Sequence, residues 1–294
     1  MSLFTLTTRV ILQHKHPAFF AALTHLQVFT MASTSMPAPK KLLHSLSTRP
    51  PTTCRSDLIN FEEVGMPEYK GKFAVLIHDL LSAAECTELL EAAEGSSGHQ
   101  WEGAMVNIGG GRQKLMTDVR DCGRIIWDTP EVVERLLERI KPHLPQSVTS
   151  LEDSTHITGA GPVKRKETWQ LTRLNERLRF LKYNKGMYFR EHCDGSYVTP
   201  EGDEISFLTV HVYLNSQGTP DAEVEDELED QDKPLKGGAT RFFGFKNNTY
   251  DVNPSTGACL VFQHRGLYHS GEEVEQGTKY TVRTDILYRK VEEN

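Results

Sequence analysis

Leu178-Arg-Phe-Leu-Lys-Tyr-Asn-Lys-Gly-Met-Tyr-Phe-Arg-Glu-His-Cys-Asp194 decides how the rest of this 294-residue chain is read. Leu178 to Tyr183 has the look of a short strand, and Asn184-Lys-Gly186 of the turn that ends it. His192 and Asp194 follow, two residues apart. On extended backbone, residues i and i+2 project from the same face, so this imidazole and this carboxylate can converge on one ion. Cys193 between them faces the other way. A His-x-acid pair is weak evidence by itself. With 12 His and 40 acids in the chain, chance supplies roughly one or two. Its place after a strand and a turn gives it weight.

Downstream, four more short strands are separated by turn residues: Ser206–Leu214, Ala239–Phe245, Ala258–Gln263 and Lys279–Tyr288. Many short strands with regular turns indicate two packed sheets, here a double-stranded β-helix or jelly roll, occupying 176–291. A facial metal set needs a second histidine from a distant strand. Two His and one carboxylate leave three open positions, the arrangement of non-haem Fe(II) oxygenases. His269, in His269-Ser-Gly271, is the choice, with His264 as its rival and a structural or outer-shell group. The reason is what comes next. Ten residues beyond His269, the last strand begins Lys279-Tyr-Thr281-Val-Arg283, and Lys279, Thr281 and Arg283 share one face. Lys279 can hold one end of a dicarboxylate whose other end chelates the metal. Arg283, about 13 Å further at strand rise, is expected near the metal end or at a substrate carboxylate.

Upstream, 61–175 reads mostly as helices supporting that core, which makes the fold class α+β. Phe73-Ala-Val-Leu-Ile77 looks like a strand. Ser82-Ala-Ala-Glu85 has capping-box spacing ahead of Cys86, Leu89, Leu90 and Ala93 at helical period. Pro130 opens a second helix, with Val132, Val133, Leu136, Leu137 and Ile140 on one face until Pro142. Gly109-Gly-Gly111 lacks both the spacing and the strand–helix context of a nucleotide loop and reads as a flexible loop. The acidic run Glu223–Asp232 reads as a solvated loop, the alternative being a lid beside the site.

From Met1 to Ser56 there is no Asp or Glu, while Arg9, Lys15, Lys40, Lys41, Arg49 and Arg55 are basic. The expectation for 1–60 is a disordered or transit-like leader, dispensable for folding to about Ser56. Its composition is nearer a mitochondrial transit peptide than a secretory signal, unless translation starts at Met31. Pro17 to Ala32 is too short and polar to span a bilayer. The net charge of −7 and the pI near 6.0 give no basic footprint for nucleic acid. Five cysteines, an odd number without C-x-x-C spacing, argue for a reducing compartment and against a disulfide framework.

The stretch from Phe73 to Arg289 resembles the prolyl 4-hydroxylase-like branch of the Fe(II)/2-oxoglutarate-dependent dioxygenases. The resemblance runs through Asp79-Leu-Leu-Ser-Ala-Ala-Glu-Cys86, Leu181 to Asp194, Tyr213-Leu-Asn215, Gly237-Gly-Ala-Thr-Arg-Phe242, Gly257-Ala-Cys-Leu-Val-Phe262 and His269-Ser-Gly271, ending at Lys279. It implies iron held by His192, Asp194 and His269, and 2-oxoglutarate bound by Lys279, with Tyr183 and Tyr213 lining that pocket. Arg283 has no fixed counterpart there. It further implies O2 as oxidant, ascorbate as a reductant, succinate and CO2 as products, and a peptidyl-proline, amino-acid-like or other small-molecule substrate. Against it stand two other classes: a jelly-roll binding protein with a vestigial metal site, and a zinc hydrolase, for which no water-activating carboxylate is evident.

Overall fold

In the computed structural model, residues 37–108, 112–218 and 229–291 are described. The five strands expected of the C-terminal half form as Arg177–Asn184, Glu204–Tyr213, Thr240–Phe243, Cys259–Gln263 and Thr278–Lys290. They divide between two antiparallel sheets. In the larger sheet, Thr278–Lys290 lies between Glu204–Tyr213 and Arg177–Asn184, and Cys259–Gln263 flanks Glu204–Tyr213. The smaller sheet runs Thr249–Val252, Thr240–Phe243, His269–Gly271, Tyr188–His192, Arg120–Asp121. Tyr213, Leu260 and Phe262 of the larger sheet pack with Phe242 and Val252 of the smaller one in a shared core. This is the jelly roll.

The central strands bury both faces, which is why their sequences are apolar on one side and chemically mixed on the other. Leu208, Val210, Val212, Val282 and Ile286 join the main core beneath the helices. The opposite faces carry Thr209, His211 and Tyr213 on one strand and Lys279, Thr281 and Arg283 on its neighbour. Cross-strand register sets His211 beside Arg283, Tyr213 beside Thr281, and Tyr183 beside Lys279. A one-residue slip would turn all of these into the core.

Helix α2 (Ala83–Ser96) begins with the expected capping box: the Glu85 amide donates to Ser82 Oγ at 3.2 Å, and the Ser82 amide to Glu85 Oε2 at 2.7 Å. Helix α3 (Pro130–Ile140) starts on Pro130 and buries Val132, Val133, Leu136 and Ile140. The stretch 61–175 is less helical than its composition suggests. Ala74–His78, Gly123–Asp128 and Trp169–Leu174 all enter the larger sheet. Gly123-Arg-Ile-Ile-Trp-Asp128 gives only six residues of strand signal, and Ile125 and Trp127 turn inward. None of the described helices is long and apolar enough to cross a membrane.

The leader expected to reach Asn60 is corrected over residues 38–60, which are packed. Helix α1 (Lys40–Ser45) brings Leu42 into the main core, and Leu46 just beyond it is fully buried. Arg135 Nη1 donates to the Leu46 carbonyl at 3.0 Å and Arg139 Nε to the Ser47 carbonyl at 2.8 Å. Arg139 also pairs with Glu85 at 2.6 Å, so α3 clamps both this segment and the start of α2. Arg55–Leu58 then extends the sheet beside Ala74–His78. Composition hid this because two leucines supply the anchor and arginines distant in sequence satisfy the backbone. Leu46→Ala should therefore lower stability by about 2–5 kcal/mol, the usual cost of truncating a buried leucine. A denaturant midpoint equal to wild type would contradict it. The transit-like residues 1–36, Gly109-Gly-Gly111 and Glu223 to Leu228 lie outside the described residues. Of the acidic run, Asp230 meets Lys185 at 3.2 Å.

Candidate metal centre

His192 ends the strand Tyr188–His192, and His269 begins the strand His269–Gly271 directly opposite it. Their rings approach to 4.3 Å between centroids. Asp194 completes the group: His192 Nε2 lies 3.6 Å from Oδ1 and His269 Nε2 3.7 Å from Oδ2. One potential ligand atom from each of the three falls within 4.8 Å of the others, the spacing of groups that can share an ion. Among the described residues this is the one such cluster.

The imidazoles are prepared for that task. His192 Nδ1 is 2.7 Å from the Arg190 carbonyl and His269 Nδ1 3.1 Å from the Leu267 carbonyl. A carbonyl can only accept, so each Nδ1 carries the proton and donates it. The lone pair of each Nε2 then faces the third residue. Burial pushes the His269 pKa down to about 4, more than the Asp194 carboxylate raises it, so the ring is neutral at pH 7. Burial acts to raise the Asp194 pKa. The Arg283 guanidinium, then His269 and His192, outweigh it and hold the carboxyl well below its ordinary range. Arg283 Nη1 is 3.0 Å from Asp194 Oδ1, and Thr209 Oγ1 donates to Oδ2. A donor set of two imidazoles, each with Nδ1 donating to a carbonyl, and one ionised carboxylate suits a divalent iron.

His264 is elsewhere, with Nε2 3.6 Å from Asp285 Oδ1. Cys193 turns away from its neighbours, toward Gly266 and Lys72.

A cavity bordered by His192, Asp194 and His269 is lined also by Tyr183, His211, Thr240, Lys279 and Arg283. Lys279 is buried, with its Nζ donating to the Gly238 carbonyl at 2.5 Å and lying 5.3 Å from the Tyr183 ring centroid. Burial pulls its pKa down to about 8. Among the described residues no carboxylate lies within ion-pair distance of it. Beside it on the same strand face, Thr281 Oγ1 is buried without a hydrogen-bond partner among the described residues, as is His211 Nε2 on the neighbouring strand. Buried polar atoms left unpaired are costly and point to a ligand that completes them.

The two tyrosines diverge. Tyr183 lines the cavity. Tyr213 is fully buried between the sheets; its hydroxyl donates to Thr240 Oγ1 at 2.7 Å, and its ring lies 5.8 Å from Lys279 Nζ behind the cavity wall. Thr209 and His211 went unread in the sequence, although the i, i+2 rule applied backward from Tyr213 collects both. Arg120 had no readable signal, because its strand is a dipeptide, Arg120–Asp121.

Residues 178–284 match the family model described as 2OG-Fe(II) oxygenase superfamily. That segment holds His192, Asp194, His269 and Lys279, so over residues 178–284 the chain is similar to that family, as the resemblance read from the sequence implied. None of the curated proteins compared matches it. Among solved structures, a Pseudomonas putida prolyl-4-hydroxylase is similar at 14% identity over 74% of this chain and 94% of its own, with a TM-score of 0.46. The viral collagen prolyl hydroxylase of Paramecium Bursaria Chlorella virus-1 is 17% identical over 74% and 97%, at 0.44. A Trichoplax adhaerens prolyl hydroxylase, solved with a hypoxia inducible factor peptide fragment, is 15% identical over 76% and 89%, at 0.46.

Proposed function

We propose that the chain is an Fe(II)- and 2-oxoglutarate-dependent dioxygenase that hydroxylates an unactivated C–H bond of a peptidyl-proline or amino-acid-like substrate. His192, Asp194 and His269 would hold the iron, Lys279 the distal carboxylate of 2-oxoglutarate, and Tyr183 the wall of that pocket. The observation that carries the reading is one cavity with the three-residue donor set at one end and, inside it, a buried lysine that has no carboxylate partner among the described residues. A dicarboxylate whose other end chelates the metal supplies the missing charge.

Bound there, iron supplies activation of O2 coupled to decarboxylation of 2-oxoglutarate, which yields succinate and CO2. The residues of the chain do the rest. Backbone carbonyls hold both imidazoles in one tautomer, and Arg283 and Thr209 fix the Asp194 carboxylate. Lys279 orients the co-substrate, and the walls formed by Phe189 and Phe262 keep water from the reacting centre. No protein nucleophile or general base is required. Ascorbate would serve as an external reductant.

The test is a screen of candidate substrates for stimulated succinate release, with mass spectrometry of each product. One added oxygen per succinate formed supports hydroxylation. Iron and 2-oxoglutarate binding without any decarboxylation would instead fit a binding protein with a vestigial site. His264→Ala should retain most of the iron and turnover, because His264 is outside the donor set. If it is dead while His269→Ala turns over normally, the ligand assignment is wrong.

A further inference from the structure

Outside the metal ligands lies a second, larger cavity of about 500 Å³, which His192, Asp194, Arg120, Arg124, Arg179 and Arg283 help to line. Four arginines therefore border it, and acids neutralise only two. Arg179 Nη1 is 2.9 Å from Asp285, while Arg283 lies 3.3 Å from Asp285 and 3.0 Å from Asp194. Arg120 and Arg124 form no ion pair among the described residues. They are 8% and 7% exposed, and the Nε of each is buried without a hydrogen-bond partner among the described residues.

Their placement is built by both sheets. Arg120 comes from the edge of the smaller sheet, opposite Phe189, with its guanidinium 4.6 Å from the centroid of that ring. Arg124 comes from Gly123–Asp128 of the larger sheet, opposite Leu181. Burial, then the nearby charge of Arg120, lowers the Arg124 pKa; Arg179 adds to the fall and Glu102 opposes it. Like charges held together in a partly dry cavity are unfavourable unless an anion joins them. A divalent metal beside them would sharpen the excess. The proposed role of 2-oxoglutarate leaves Arg124 unused, since Lys279 takes one carboxylate and the metal the other, while Arg120, which meets Tyr183, borders both cavities.

We propose that Arg120 and Arg124 form the subsite for a carboxylate carried by the substrate, which is therefore a small acid of amino-acid-like size. This inference rests on the dioxygenase reading and narrows its substrate class. Planar guanidinium forks match carboxylate geometry, and the volume suits a small molecule. Arg124 is the sharper reporter, because Arg120 also lines the inner cavity and Arg124 does not.

The probes are N-acetylglycine and N-acetylglycinamide, which differ only in the anionic group. Each is titrated by calorimetry, at fixed ionic strength, into anaerobic protein loaded with Fe(II) and 2-oxoglutarate. The charge-transfer absorbance of the chelated co-substrate is followed in parallel. Wild type should prefer the acid by about tenfold or more, the usual scale for a hydrogen bond to a charged group. Arg124→Gln should abolish the preference and Arg124→Lys restore part of it. Equal binding of the two probes, or no binding of either, overturns the proposal, and this comparison needs no variant. Full preference retained in a folded Arg124→Gln protein also overturns it. So does loss of the absorbance as the acid is added, which would assign the arginines to 2-oxoglutarate. Failure of the absorbance to develop at all contradicts the co-substrate reading instead, while the acid-over-amide comparison still decides this subsite.

Discussion

Lys279→Ala is expected to raise the Michaelis constant for 2-oxoglutarate roughly ten- to a hundredfold, with iron binding little changed. Removing the ammonium leaves a carboxylate poorly paired in a largely dry pocket, a loss of ~1.5–3 kcal/mol. Arg283 is a cation on the same strand face, but it cannot substitute. Its guanidinium is committed to Asp194 and Asp285 at the opposite end of the cavity. Arg283→Ala should thus loosen the metal-binding carboxylate and uncouple substrate oxidation more than it weakens 2-oxoglutarate. Affinities of both variants in anaerobic, iron-loaded samples decide between these roles. Should Arg283→Ala lose the co-substrate while Lys279→Ala keeps it, the two are exchanged. Lys279 also sets a pH dependence. Burial lowers its pKa to about 8, so the free protein carries the charge below that pH and loses it above. The Michaelis constant for 2-oxoglutarate should rise as pH climbs past 8. The saturated rate should respond less, because bound dicarboxylate draws the proton back onto Nζ.

The second large effect belongs to the ligands themselves. Asp194→Ala, like His192→Ala or His269→Ala, should abolish iron retention and turnover, since each would remove one of the three proposed protein bonds to the metal. Loss of an outer-shell partner typically costs ~10–100-fold in metal affinity, and loss of a ligand should cost more. Asp194→Ala has an added consequence. It strips Arg283 of one of its two acids inside a cavity already rich in guanidinium groups. Metal content after dialysis, measured beside thermal stability, separates lost ligation from lost folding.

The jelly roll and its centre were legible because they rest on short-range periodicity. His192 closes the strand Tyr188–His192 and Asp194 follows it by two residues, while alternation along the last strand places Lys279, Thr281 and Arg283 on one wall. The capping box at Ser82 and the proline at the start of α3 are likewise local signals. What could not be read depends on contacts between distant parts of the chain. That the Tyr213 hydroxyl goes to Thr240, on the facing sheet, depends on such a contact. Leu42 and Leu46 sat in a stretch with the composition of a leader, yet arginines of α3 hold it down. Arg120 lay in a two-residue strand with no periodicity to read and Arg124 in a stretch that reads mostly as helices, and only the fold brings both to one cavity.

The most direct test of the central claim is 2-oxoglutarate decarboxylation by the full chain in air, with Fe(II) added and withheld. Succinate and CO2 should form in equal amounts, with strict dependence on Fe(II), inhibition by an iron chelator, and loss of the activity in Asp194→Ala. Decarboxylation that proceeds without iron, or that survives in Asp194→Ala at the wild-type rate, would contradict it.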